Sequence, residues 1–564
     1  MEKLREYLLE NGKHYIILFL LAVVLFWKIG TYPNHFDACV EHAIHPQVNK
    51  VLDNQDVSKE VTWVWTDMYQ HAAGRSPLYS GPIELGLRLF GLTLFGVRFI
   101  TAVLAFIILV LLYHTMRKYY HNLLAGIFIL LLASSPWYLI MTRSGGIIGF
   151  SLTLVLLALC LVAIMFTPGN NQPDKVSIKN KKKSGRVAVK PCIIAFLAGV
   201  SVAFLPYGHA MTRPLPIMLI IWILLYYKKI GASRLAIFLT GVFAVASIQF
   251  TDLRAALRSY FNARGEGLLD VAKSLKSTDP DFLITKLISN IREQFNFLFG
   301  LNSMEEFWDP NIAYSYWKTD IVLYPRFLVP FFVIGFILCL INIYRKRSLA
   351  SAAPVLFLFV TLIPGLMAGY GGPNAARNYL SILPLYFFIA YAFYSIFSYV
   401  YNKVYSLDGA GLKSSNYKRY LTVGLSVTII GIICVYQVNN FFNREKGALD
   451  EKYTPAHSIY EYLNSYFEEN ESARVLIHEI PIFGNYSYVT IRWLGGKEFE
   501  DRLESGQVML LKYENRLEVE NLWREGYFDL LLSSSGPDEL KFMLSDFESI
   551  EPEDNHKFML YRYK

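Results

Sequence analysis

With 564 residues, 54% of them hydrophobic and only 18% charged, the chain is too apolar for an ordinary soluble enzyme and reads as a polytopic membrane protein. The formal net charge of +8 is modest, and in such a chain lysines and arginines mark cytoplasmic loops; with no RNA or DNA motif present, nucleic acid is excluded as a partner. Of the five cysteines, Cys160, Cys192, Cys339 and Cys434 lie in or beside apolar runs, which leaves Cys39 alone and provides no disulfide framework.

A bilayer core of roughly 30 Å takes about 20 apolar residues per helix. Runs of that order recur at Tyr15 to Ile29, Val97 to Tyr113, Leu123 to Ile140, Ile147 to Phe166, Cys192 to Leu205, Leu215 to Tyr227, Leu235 to Phe250, Leu328 to Ile343, Val355 to Met367, Tyr379 to Tyr399 and Leu421 to Val438. They predict about eleven transmembrane helices. The first run ends on the bulky Trp27-Lys28 pair without a small-residue cleavage site after it, and reads as a retained span. Basic clusters at Lys3 to Lys13, Arg117-Lys118, Lys175 to Lys190, Lys228 to Arg234, Arg345 to Arg347 and Lys403 to Arg419 all precede the first span or follow an even-numbered one. Their shared side is expected to be the cytoplasm, with the N-terminus inside, the C-terminus outside and the plasma membrane as location.

After the first span comes His35-Phe36-Asp37-Ala38-Cys39-Val40-Glu41-His42-Ala43-Ile44-His45-Pro46. Pro46 would end any short helix here, on which Asp37, Glu41 and His45 share one face. A catalytic carboxylate at the membrane surface is one reading; helix capping by Asp37 and interfacial histidines is the other. Glu41, His42 and His45, with Asp37, also have ligand types and spacing for a divalent metal.

The outer side further receives turns at Arg143 and Arg213, a long loop from Thr251 to Tyr324 and the turn at Tyr370 to Asn374. Pro82 to Phe95 is expected as a helix lying in the outer interface, with a second near Val61. From Asn439 the composition becomes more charged. Pro455 to Phe467 predicts an amphipathic helix, and Ala473 to Ile480, Tyr486 to Trp493, Val508 to Leu511, Tyr527 to Leu532 and Phe558 to Tyr563 predict strands. Helices are expected near Val519 to Arg524 and Asp538 to Leu544, so residues 439–564 read as an extracytoplasmic α/β domain after a membrane domain of residues 1–438.

Several short motifs fall in one order: Asp37 after the first span; Gly74-Arg75-Ser76-Pro77-Leu78-Tyr79; Leu87-Arg88-Leu89-Phe90-Gly91; Val97-Arg98-Phe99; Ala133-Ser134-Ser135-Pro136-Trp137-Tyr138 with Thr142-Arg143; and Ala376-Arg377-Asn378-Tyr379-Leu380 before Leu383-Pro384. This order resembles the GT-C membrane glycosyltransferases of the protein O-mannosyltransferase and lipid A aminoarabinose transferase type. The resemblance spans roughly Tyr15 to Val438, and the Ser-Pro-Trp turn with its following arginine is its most specific part. Many family members carry Asp-Glu where this chain has Asp37-Ala38, which leaves the second acid open to Glu41 or Asp67.

The resemblance implies a GT-C fold in which a polyprenyl-phosphate-linked sugar enters from the membrane and is transferred with inversion on the outer face to a glycan, lipid or protein acceptor. It implies Asp37, with Glu41, as the catalytic acids, since a carboxylate must take the acceptor hydroxyl proton. Arg143, Arg264 and Arg377 are the outer arginines expected at the donor phosphate. Tyr79, Trp137, Tyr138 and Trp317 are expected to contact sugar or acceptor, although aromatics beside a span also form interfacial belts. Many members work without metal, so no cofactor is expected to be required. A transporter or flippase of a lipid-linked or small substrate is the alternative, which the absence of an internal repeat disfavours.

Overall fold

The structure is a computed structural model that describes residues 2–29, 77–91, 93–143, 147–166, 189–207, 212, 214–248, 280–299, 324–346, 349–366, 378–406, 412–450, 455–478, 499, 501–503, 505–511, 522, 528–533, 547–550 and 559–563. A helix stands at each of the eleven apolar segments. Among the described residues, four are long and apolar enough to cross a bilayer alone, at Phe95–Tyr119, Arg326–Arg345, Tyr379–Lys403 and Val423–Asn443. A fifth is the bent pair Asn122–Ser134 and Pro136–Arg143, and shorter apolar helices occupy the other expected positions.

In chain order the helices are α1 (Glu2–Phe26), α2 (Pro77–Phe90), α3 (Leu94–Tyr119), α4 (Asn122–Ser134), α5 (Pro136–Arg143), α6 (Ile147–Met165), α7 (Val189–Phe204), α8 (Leu215–Leu225), α9 (Ala232–Ile248), α10 (Pro280–Leu298), α11 (Val329–Lys346), α12 (Leu349–Leu366), α13 (Ile382–Ser406), α14 (Leu412–Asp450) and α15 (Pro455–Glu469). The interfacial helix expected at Pro82 to Phe95 is instead α2, which stops at Phe90 because Gly91 turns the chain at φ 75°. The Thr93 hydroxyl oxygen then accepts the Gly96 N–H at 3.0 Å and starts α3. Ile83 and Leu87 of α2 are buried, while Leu85 and Leu89 face outward. The long expected loop after α9 contains a helix, α10, and the expected helix near Val61 lies outside the described residues.

The core gathers around α13, the most buried of the long apolar helices, which packs against α4, α11, α12 and α14. Outer positions such as Phe19, Ile217, Tyr344 and Val435 expose apolar side chains, as lipid-facing helices do. Small residues set one close helix pair: a Cβ on Gly199 would stand 2.0 Å from Phe238 O, and one on Gly241 2.3 Å from Phe196 O. The two glycines therefore let α7 and α9 approach backbone to backbone.

The C-terminal residues form a five-stranded sheet of order β2-β1-β3-β5-β4, from β1 (Val475–His478), β2 (Val508–Leu511), β3 (Leu530–Ser533), β4 (Phe547–Ile550) and β5 (Met559–Tyr563). β1 pairs in parallel with β2 and β3, while β5 runs antiparallel to both β3 and β4. Four of the five strands lie where short apolar runs predict them; β4 does not, because Glu548 and Ser549 interrupt its apolar pattern. The strand expected at Tyr486 to Trp493 and the helix at Asp538 to Leu544 lie outside the described residues, as does most of the helix expected at Val519 to Arg524.

Candidate functional site

The break between α4 and α5 organises the site. A proline restricts the residue before it to extended backbone, and its missing N–H suits a first helical position. Ser135, before Pro136, accordingly has φ −65° and ψ 136°, and its hydroxyl oxygen accepts the Tyr138 N–H at 3.1 Å. That bond caps α5, which leaves α4 at an angle of 64°. The neighbouring Ser134 hydroxyl donates to Gln437 Oε1 at 2.8 Å, and Gln437 Nε2 donates to the Tyr386 hydroxyl oxygen at 3.0 Å. All three side chains are buried, so this chain of bonds ties α4, α13 and α14 together where the break occurs.

Three expected site residues lie on α5. Trp137, Tyr138 and Arg143 are all fully buried, and the Tyr138 hydroxyl has no hydrogen-bond partner among the described residues. The Arg143 guanidinium sits over the rings of Phe441 and Phe442 of α14, 5.4 and 5.1 Å from their centroids. Its Nη1 donates to Val24 O at 3.4 Å in the last turn of α1. A second buried arginine, Arg98 of α3, donates from Nη1 to Ile29 O at 3.3 Å, just past the same helix end.

Two guanidinium groups thus meet the C-terminal end of α1, where the last carbonyls lack intrahelical donors and the helix dipole favours cations. Between the two carbonyls, Lys28 adopts φ 54°, an uncommon left-handed conformation for a residue with a Cβ. The chain that leaves this clamped end reaches Asp37 only eight positions after Ile29. In the sequence Arg98 stands only as part of the Val97-Arg98-Phe99 motif and is given no site role there. Its signal was a charge inside the apolar run from Val97 to Tyr113, where charges are costly unless they have a task.

Other expected residues are not placed. Asp37, Glu41, His42, His45, Arg264, Trp317 and Arg377 lie outside the described residues, and so does the side chain of Tyr79, whose backbone belongs to the first turn of α2.

Residues 74–173 match the family described as dolichyl-phosphate-mannose-protein mannosyltransferase. Over 98% of both chains, the structure superposes on that of ArnT from Cupriavidus metallidurans in the apo state, with a TM-score of 0.53 and 11% sequence identity. The chain has the GT-C fold. ArnT bound to undecaprenyl phosphate superposes with a TM-score of 0.52 at 10% identity, again over 98% of both chains. No curated protein matches the chain in sequence. The matched stretch of this GT-C chain contains α2, α3, the α4–α5 break, Arg98 and Arg143, so the family match falls on the elements that enclose the end of α1. Among the described residues, no three His, Cys, Asp or Glu side chains come together as metal ligands.

Proposed function

We propose that this protein is an integral-membrane glycosyltransferase that moves a sugar from a polyprenyl-phosphate donor to an acceptor hydroxyl at the outer face of the plasma membrane, with inversion. The observation that carries this reading is the family match over residues 74–173, on a chain with the GT-C fold. The ArnT structure holding undecaprenyl phosphate supports a lipid phosphate as the leaving group here. About eleven spans, an inside N-terminus and an extracytoplasmic domain from residue 439 belong to the same reading.

In this mechanism the acceptor oxygen attacks the anomeric carbon from the face opposite the phosphate. The bond to the phosphate oxygen breaks with its electron pair, and polyprenyl phosphate leaves. Asp37 accepts the hydroxyl proton, with Glu41 as the second acid. Arg143, Arg264 and Arg377 hold the phosphate as its charge grows, and a guanidinium grips phosphate through paired N–H groups. Tyr79, Trp137, Tyr138 and Trp317 shape the sugar and acceptor side. The clamp of Arg98 and Arg143 on the end of α1 gives the Asp37 segment a rigid root, which suits a base that must stay within hydrogen-bond reach of its target.

No cofactor is required in this scheme. The divalent ion that Glu41, His42 and His45 are typed to hold would add charge neutralisation at the phosphate.

The test is release of polyprenyl phosphate from lipid-linked sugar by purified protein with a native membrane extract, wild type beside Asp37→Asn. Release by wild type and near-complete loss in the variant at equal expression is expected. Equal release from both moves the base to Glu41 or Asp67, and no release from wild type supplied with its donor favours transport over transfer.

A further inference from the structure

Four helix ends meet at one end of the bundle. The Tyr119 hydroxyl at the end of α3 donates to Ala163 O in the last turn of α6, and Arg234 Nη1 in the first turn of α9 donates to Met165 O at 3.3 Å. Terminal carbonyls of a helix lack intrahelical donors, so the end of α3 and the start of α9 together close the end of α6. α8 comes to the same place through the short helix Tyr227–Ile230 and Gly231, whose φ of 90° turns the chain into α9.

These ends are cationic. Arg117 and Lys118 close α3, Lys228 and Lys229 follow α8, and Arg234 opens α9. Lys118, Lys228 and Lys229 are exposed. Lys229 Nζ lies 5.5 Å from the centroid of the Tyr226 ring and the Arg117 guanidinium 5.6 Å from that of Tyr113, contacts that orient a cation without cancelling its charge. From Leu94 to Ile248, the stretch that contains all of these elements, the sequence has a single acid, Asp174. The elements that build this end therefore gather positive charge that their own side chains cannot balance, and the field they sum to favours an anion.

The surface beside the lysines is apolar. Ile221, Leu224 and Leu225 of α8 are exposed, as is Tyr227, with Leu225 at 73%. Cations next to exposed hydrocarbon fit one class of molecule, an anion that carries its own hydrocarbon chain. A soluble anion would leave the apolar side uncovered, and a neutral lipid would leave the charge unbalanced. We infer that the end formed by α3, α6, α8 and α9 is a docking surface for an anionic phospholipid, whose phosphate lies among the cations of these ends while its acyl chains run along the exposed side of α8. This surface is separate from the α4–α5 break and does not depend on the glycosyltransferase reading.

The probes are phosphatidylglycerol and phosphatidylcholine with identical acyl chains, and glycerol phosphate as the headgroup without chains. Full-length protein in neutral detergent is titrated with each, bound lipid is counted by native mass spectrometry, and the unfolding temperature is followed in parallel. Lys228→Gln with Lys229→Gln is the test variant. Lys228→Arg with Lys229→Arg keeps the charge, and Arg345→Gln with Lys403→Gln removes the same charge from exposed positions near the ends of α11 and α13.

Wild type is expected to bind phosphatidylglycerol about tenfold or more tightly than phosphatidylcholine and to unfold at a higher temperature with it. The test variant should lose most of that preference, the arginine pair and the α11–α13 variant should keep it, and glycerol phosphate should not displace the lipid. Equal affinity of wild type for both lipids overturns the inference. So does an equal loss in the α11–α13 variant, which would show a general attraction of basic surface, or a loss in the arginine pair, which would show that charge is not what binds. Displacement by glycerol phosphate overturns it too, since an anion site would then suffice without the apolar side.

Discussion

Ser134 and Gln437 lie 303 positions apart in sequence and are joined by a 2.8 Å hydrogen bond at the point where the α4–α5 pair breaks. The bond also sets the Gln437 amide so that its nitrogen faces Tyr386. Gln437→Leu removes both of these buried bonds, leaving the Ser134 hydroxyl with Leu131 O and the Tyr386 hydroxyl with the Ser135 side chain. A lost intramolecular hydrogen bond costs about 0.5–1.5 kcal/mol net, so a drop in unfolding temperature in detergent is expected. Adding Ser134→Ala and Tyr386→Phe to the same protein removes those remaining bonds as well and should not recover the loss, and a thermal unfolding series measures both steps.

Ser135 caps α5 from the residue that Pro136 holds extended. Ser135→Ala removes the cap and is expected to cost about 1 kcal/mol, whereas Ser135→Thr should retain most of the cap through its own hydroxyl without burying a charge at this wholly buried position. Comparison of the two variants by chemical unfolding distinguishes capping from a loss of side-chain volume.

Arg143 combines a bond to the end of α1 with a position over two phenyl rings. Lysine keeps the charge but has neither the planar face nor the forked donors. Arg143→Lys is expected to lower turnover by about tenfold or more, since misplacing a catalytic group by about 1 Å costs up to a hundredfold. Steady-state assay of lipid-linked sugar turnover at matched folded protein measures the effect.

Gly199 faces backbone rather than a movable side chain, with Phe238 O 2.0 Å from where its Cβ would stand. Gly199→Ala must push α7 and α9 apart, at a cost of about 1–3 kcal/mol. Gly424, with open space around it, is the control: alanine there should leave the unfolding temperature nearly unchanged.

Metal dependence separates the two uses proposed for the first outer segment. Dialysis against EDTA is expected to leave turnover intact. Loss on dialysis with recovery on adding Mg2+ or Mn2+ would move Glu41, His42 and His45 from the surroundings of the base to the phosphate.

The positions of the apolar helices, and the sheet that follows them, were legible in the residues alone. Both follow from local causes: a long apolar run has to satisfy its backbone internally, and short continuous apolar runs such as Val508 to Leu511 suit a buried strand. The break at Ser135-Pro136 was legible for the same reason, since proline acts on the residue next to it. Continuation of α14 through Asp450, past the apolar end at Val438, was not, because polar residues extend a helix without leaving an apolar signal.

Only the tertiary structure decided which polar groups meet. Arg98 and Arg143 look like two unrelated charges near span ends until packing brings both to the last carbonyls of α1. Ser134 with Gln437, and Gln294 with Asn378, are ordinary polar residues in sequence. Their partners are selected by how whole helices cross, and that depends on side-chain volumes and close glycine contacts summed over many residues, which no local pattern records.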